Sequence, residues 1–209
     1  MAKSAKVNSS AGPVRTRRAY FDCRFGQLHV RTAFPATGGF DEQVTLFCLH
    51  PAKSSSRWFV RFLPEIADVR SVYAPDLPGL GESDPSLRGS VADAAAALSD
   101  LANDLRLREI DLLGVHGGAA VALELAQARP ELARRLVLVG LPEDDKLPTV
   151  RQPGLVMRTR MDTSEQIAKA KTALPQAKFV DITDYADDLF EVAPITLAKQ
   201  IGTFLSARP

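Results

Sequence analysis

Ala74-Pro75-Asp76-Leu77-Pro78-Gly79-Leu80-Gly81-Glu82-Ser83-Asp84 decides how this chain is read. It ends a short apolar strand, residues 71–74, in a loop so rich in proline and glycine that neither helix nor strand continues through it. Upstream, residues 44–50 form a buried apolar strand ending in Leu49-His50-Pro51-Ala52, and residues 56–67 have helical spacing. Downstream, an Ala/Leu-rich helix is expected over 91–105 with Ser90 as N-cap. A strand over 110–115 then runs into a small-residue helix, 117–128, stopped by Pro130. Strands over 136–140, 154–159 and 179–182 alternate with helices over 164–173 and 194–205. At the front, residues 19–25 and 28–34 read as a hairpin turning at Gly26-Gln27. An opening hairpin followed by strand–helix alternation predicts a mostly parallel, doubly wound α/β sheet of about eight strands with an N-terminal antiparallel hairpin. In such sheets function collects at the carboxyl ends of the strands.

Composition narrows the function classes. The chain has 209 residues, 45% of them hydrophobic and 24% charged, which are ordinary globular fractions. Twenty-six basic against 25 acidic residues give a net charge of +1, not the footprint of a nucleic-acid binder. No apolar run is long enough to span a membrane. Cys23 and Cys48 fall in strand-like segments without metal or redox spacing and read as small core hydrophobes of a reducing compartment. Residues 1–18 carry five basic residues and no acid, lack the apolar region of a secretory signal, and read as a disordered tail before a single domain, 19–209. A cytoplasmic protein is expected.

Taken together, His50-Pro51-Ala52, the loop Ala74 to Asp84, Leu113-Gly114-Val115-His116-Gly117-Gly118 and the strand ending at Gly140 closely resemble the α/β-hydrolase superfamily, over about residues 19–207. The resemblance implies a nucleophile elbow, a sharp strand-to-helix turn that displays Ser, Asp or Cys between small residues. Gly114, Gly117 and Gly118 provide the small residues, but His116 occupies the nucleophile position. The family's histidine base is expected seven residues before the proline opening the last helix, here Pro194, and that position is Asp187. No histidine follows His116 in the sequence. The family's acid matches Asp162. The resemblance also implies an oxyanion site from the N–H of Gly117 and one from the loop after the third strand; Pro51 has none to give, Ala52 does, and His50 is expected to hold that loop.

Between residues 140 and 154 there is no room for the helical cap that family members often carry, so no cap domain is expected. An uncapped site would leave apolar surface open, a reason to expect a homo-oligomer through that face. Two readings stand. In the first, the protein has lost Ser-His-Asp hydrolysis and binds a small molecule or a protein. In the second, it is an atypical hydrolase or lyase on a small carbonyl or ester substrate, with His116 as base and Asp162 or Asp187 as its carboxylate. Neither requires a cofactor, and the spacing of His116, Asp162 and Asp187 signals no metal site. His29 reads as an ordinary strand residue.

Overall fold

The computed structural model describes residues 14–36, 43–143, 147–182 and 188–207. Among the described residues, eight strands form one sheet: β1 Arg15–Cys23, β2 Gly26–Phe34, β3 Leu46–Leu49, β4 Val72–Pro75, β5 Ile110–Val115, β6 Ala133–Val139, β7 Gly154–Arg158 and β8 Ala177–Asp181. Their spatial order is β1-β2-β4-β3-β5-β6-β7-β8. β1 with β2 and β2 with β4 are antiparallel, and every other pair is parallel. The chain passes from β3 out to β4 and back across to β5, so strand order reverses around β3. In open α/β sheets such a reversal is where ligands bind, at the strands' carboxyl ends.

Each face of the sheet is closed by helices. α2 Val91–Asp104, α3 Gly117–Ala128 and α4 Ser164–Ala173 cover one face and bury Leu28, Phe47, Leu112 and Leu138 against it. α1 Leu63–Ile66, α5 Leu189–Val192 and α6 Pro194–Ser206 cover the other. There Phe59 and Phe62 each meet the Phe190 ring edge-on at 5.1 Å between centroids, a geometry that suits the aromatic quadrupole. The helix starts follow from local chemistry: Ser90 Oγ accepts the Asp93 N–H at 3.1 Å, and Thr163 forms a capping box with Gln166. Cys48 is buried, and burial pushes its thiol well above the ordinary range. No described helix is long and apolar enough to cross a membrane.

Three sequence expectations need correction. β1 begins at Arg15, so residues 15–18, read as the end of a disordered tail, belong to the sheet; their charges sit at mostly exposed positions of an edge strand. The hairpin turns at Arg24-Phe25, because Cys23 pairs with Gly26. Arg24 is held there by Asp100, which accepts its backbone N–H at 2.9 Å and its guanidinium at 2.8 Å. Gly26 serves a distant contact: a Cβ on it would lie 2.3 Å from Asp84 Oδ2. The stretch 56–67 is a 3-10 turn, Ser56–Phe59, followed by the separate short α1, with Pro64 in its first turn. Between Val139 and Gly154 the described residues contain no helix, and no cap domain is evident.

At the opposite end of the sheet, Asp111 and Arg70 are wholly buried side chains 3.1 Å apart, and Arg134 reaches the same carboxylate at 2.6 Å. Arg134 and Arg135 also donate to the carbonyls of Phe204, Leu205 and Ala207, placing cations at the C-terminus of α6, where they are favoured.

Candidate functional site

β5 ends at Val115, on the carboxyl side of the sheet, and α3 starts two residues later. His116 makes the turn with φ 47° and ψ −108°, a conformation that side-chain-bearing residues rarely adopt. Its N–H donates to Val139 O at 3.1 Å and its carbonyl accepts from Ala119 N at 2.8 Å, so neighbours on both sides hold the strained residue. The flanking glycines allow a close approach. A Cβ on Gly114 would stand 2.6 Å from Ala119 Cα, and one on Gly118 would stand 2.2 Å from Leu49 O. The His116 ring is half-buried, lies against Gly140, and makes no hydrogen bond with any described residue.

The other expected site residues separate into groups. Gly117 and Ala52 are brought together, with the Ala52 nitrogen 2.9 Å from where a Gly117 Cβ would be. His50 is fully buried; its Nδ1 donates to Pro51 O at 2.8 Å and its Nε2 accepts the Leu77 N–H at 3.0 Å. It therefore fastens the loop after β3 to the loop after β4. Burial pushes the His50 pKa down, against the opposing pull of Pro51 O and of Asp76.

Asp162 does not reach His116. Its Oδ1 accepts the Leu141 N–H at 2.7 Å, and its Oδ2 accepts the Thr159 N–H at 2.7 Å and the Thr159 hydroxyl at 3.1 Å. The carboxylate ties the chain leaving β6 to the chain leaving β7, and no hydrogen bond joins it to the imidazole. Asp187 lies outside the described residues. Among the described residues, no group of three or more His, Cys, Asp or Glu could hold a metal ion.

One constellation has no counterpart in the sequence motifs. His29 Nδ1 lies 2.9 Å from Asp76 Oδ2, and both side chains are almost completely buried. Asp76 also accepts the N–H of Ser56 at 2.5 Å and of Glu82 at 2.9 Å. Burial alone would raise the Asp76 pKa, but these hydrogen bonds together hold it below the usual carboxylate range. Gly81 is required here, because a Cβ on it would lie 2.1 Å from Asp76 Oδ2. The Pro/Gly-rich loop is thus wound around its own aspartate. The pairing of Val30 with Pro75 sets His29 beside Asp76, a signal visible only once β2 is known to pair with β4.

A family model described as alpha/beta hydrolase fold matches residues 44–163, more than half of the chain. The 2-hydroxymuconate semialdehyde hydrolase of Pseudomonas sp. (strain CF600) is 39% identical over 83 residues, 37% of this chain and 28% of that protein. The 2-hydroxy-6-oxononadienedioate/2-hydroxy-6-oxononatrienedioate hydrolase 2 of Pseudomonas putida is 30% identical over 174 residues, 80% of this chain and 60% of that protein. The matched parts span less than two thirds of either relative. Among solved structures, a CIB-like hydrolase from Thermoplasma acidophilum matches with a TM-score of 0.80 at 16% identity, covering 92% of this chain and 98% of that one. Naproxen esterase from Bacillus subtilis matches with a TM-score of 0.79 at 17% identity, covering 93% of each chain. At these identities the structural likeness speaks for the fold.

Proposed function

Because the chain belongs to the α/β-hydrolase fold family, we propose that it is a member in which the Ser-His-Asp hydrolysis of the parent fold has been set aside and the elbow crevice retained for binding. One observation carries this reading. His116 takes the nucleophile's place, and the only other histidines in the sequence, His29 and His50, are hydrogen-bonded to Asp76 and to Pro51 and Leu77. No histidine follows the elbow in the sequence, so none stands at the position from which the usual covalent mechanism activates a hydroxyl or thiol. The occupant in this reading is a small molecule in the uncapped crevice, or a second copy of the chain across it. The test is a panel of short p-nitrophenyl esters together with a fluorophosphonate probe. No turnover above the buffer rate and no labelled serine are expected; robust turnover or a labelled serine overturns the reading.

A second reading is favoured by the juxtaposition of Gly117 and Ala52 beside a half-buried His116 ring that has no partner among the described residues. It makes the protein an atypical hydrolase or lyase on a small carbonyl or ester substrate. His116 would act as base and the two backbone N–H groups would receive the oxyanion. Both Asp162 oxygens are engaged by Leu141 and Thr159, so this reading puts the orienting carboxylate at Asp187. Any activity that survives His116→Ala unchanged removes it.

A further inference from the structure

Arg18 and Arg31 stand directly opposite each other across β1 and β2. Opposed residues of an antiparallel pair project from one face, where like charges destabilise the sheet. The face is that of His29 and Ala33, two residues to either side of Arg31, and Ala33 packs in the layer that contains α1. Two cavities meet at Arg31. One, of about 220 Å³, is lined by Arg31, Arg57, His29, Ser55, Asp76 and Glu82. The other, of about 240 Å³, is lined by Arg31, Arg18, Arg17, Thr16 and Leu63 among others.

Neither carboxylate of the first cavity is bonded to these arginines. Asp76 is taken up by Ser56, Glu82 and His29, and Glu82 accepts the Tyr20 hydroxyl at 2.9 Å. Among the described residues the guanidiniums of Arg18, Arg31 and Arg57 have no ion-pair partner, whereas the nearby Arg61 pairs with Glu191. The Arg31 Nε is closed off from solvent with no hydrogen-bond partner. Arg31 stands between two further guanidiniums, Arg18 on one cavity's wall and Arg57 on the other's, none of the three in an ion pair among the described residues, and that is a combination that an anion relieves.

We propose that this trough binds the phosphoryl group of a small molecule, gripped by Arg31 with Arg18 and Arg57. A tetrahedral phosphoryl group offers oxygens in several directions at once, so guanidiniums arriving from the hairpin and from the 3-10 turn can share it. A planar carboxylate satisfies one fork. The site lies at the carboxyl end of β4, is separate from the elbow, and does not depend on whether His116 acts in chemistry.

The test is calorimetric titration of the full chain with inorganic phosphate at constant ionic strength, with acetate as the planar comparison and thermal unfolding as a second readout. Phosphate is expected to bind and to raise the unfolding temperature, as any ligand of the folded state does. Arg31→Gln is expected to weaken phosphate binding by about tenfold or more and to remove that thermal shift, and acetate to bind at least about tenfold more weakly than phosphate. Should Arg31→Gln fail to fold, Arg57→Gln, on an exposed position, takes its place with the same expectation. No binding at about 10 mM phosphate, binding unchanged in the folded variant, or acetate binding as tightly as phosphate each overturn the proposal.

Discussion

The imidazole of His116 occupies the space that a side chain on Gly140 would need. A Cβ on Gly140 would stand 2.2 Å from Cε1 of that ring and 2.4 Å from Nδ1. Gly140 itself has φ +70°, so it serves both as a left-handed exit from β6 and as the floor under the ring. Gly140→Ala is therefore expected to cost the ordinary 1–2 kcal/mol or so of a left-handed alanine, plus the displacement of His116. In His116→Ala/Gly140→Ala, only the second part is recovered. Urea unfolding of the two single variants and the double variant measures the coupling; additive losses would mean that ring and floor do not interact.

The strain at His116 gives a second prediction. A non-glycine residue held in a sparsely populated conformation costs of order 1–3 kcal/mol, and glycine relieves most of it. His116→Gly is expected to stabilise the fold by about 1 kcal/mol, the remainder being offset by the glycine's larger unfolded-state entropy. A site residue whose removal stabilises the protein is one that the fold carries for a reason other than stability. A fall in unfolding free energy in this variant would instead show that the ring's packing on Gly140 outweighs the backbone strain.

How far the sequence discloses these arrangements depends on the range over which each is determined. The elbow is legible because its requirements are local: an apolar run, three glycines and a small-residue helix within a short stretch. The strand–helix alternation is legible for the same reason. Gly26 passes for a central turn residue because its positive φ is a local demand, whereas the close approach of Asp84, which also excludes a side chain there, comes from far along the chain. Residues 15–18 look like a solvated tail because an edge strand's exposed positions tolerate charge. His29 looks ordinary because its partner is fixed by the β2–β4 register, which no local pattern announces. Asp162 matches a motif position, yet its oxygens bind backbone, a distinction of geometry that residue type does not carry.

His50 makes stability depend on pH in a definite direction. Burial lowers its pKa in the folded protein below the ordinary value near 6.5, so the fold prefers the neutral ring. The stability this contributes is present above about pH 6.5 and is lost as pH falls toward and through the folded-state value. Protonation would also remove the acceptor of the Leu77 N–H, releasing the loop after β4 from the loop that carries Ala52. Thermal unfolding between about pH 8 and 5 should therefore show a decline that is shallower in His50→Gln, whose amide oxygen can accept from Leu77 without titrating. Equal slopes in the two proteins would refute this account.

Asp111 carries the last prediction, far from the crevice. It is the only carboxylate bonded to the buried Arg70 and also to Arg134 among the described residues, and Arg134 in turn holds the Leu205 carbonyl of α6. Removing one member of a buried pair leaves an uncompensated charge, which costs about 3–5 kcal/mol, more than the pair itself contributes relative to an apolar substitute. Asp111→Ala should lose stability on that scale, because two guanidiniums are then left facing each other. Arg134→Ala should lose much less, since its side chain is partly exposed and Asp111 keeps Arg70. The loss has a location as well as a size: amide exchange in Asp111→Ala should accelerate first over the last turn of α6, whose Leu205 carbonyl the displaced Arg134 holds. Exchange that accelerates uniformly across the sheet, with α6 no faster than β5, would show that the cluster supports the whole core rather than the docking of that helix.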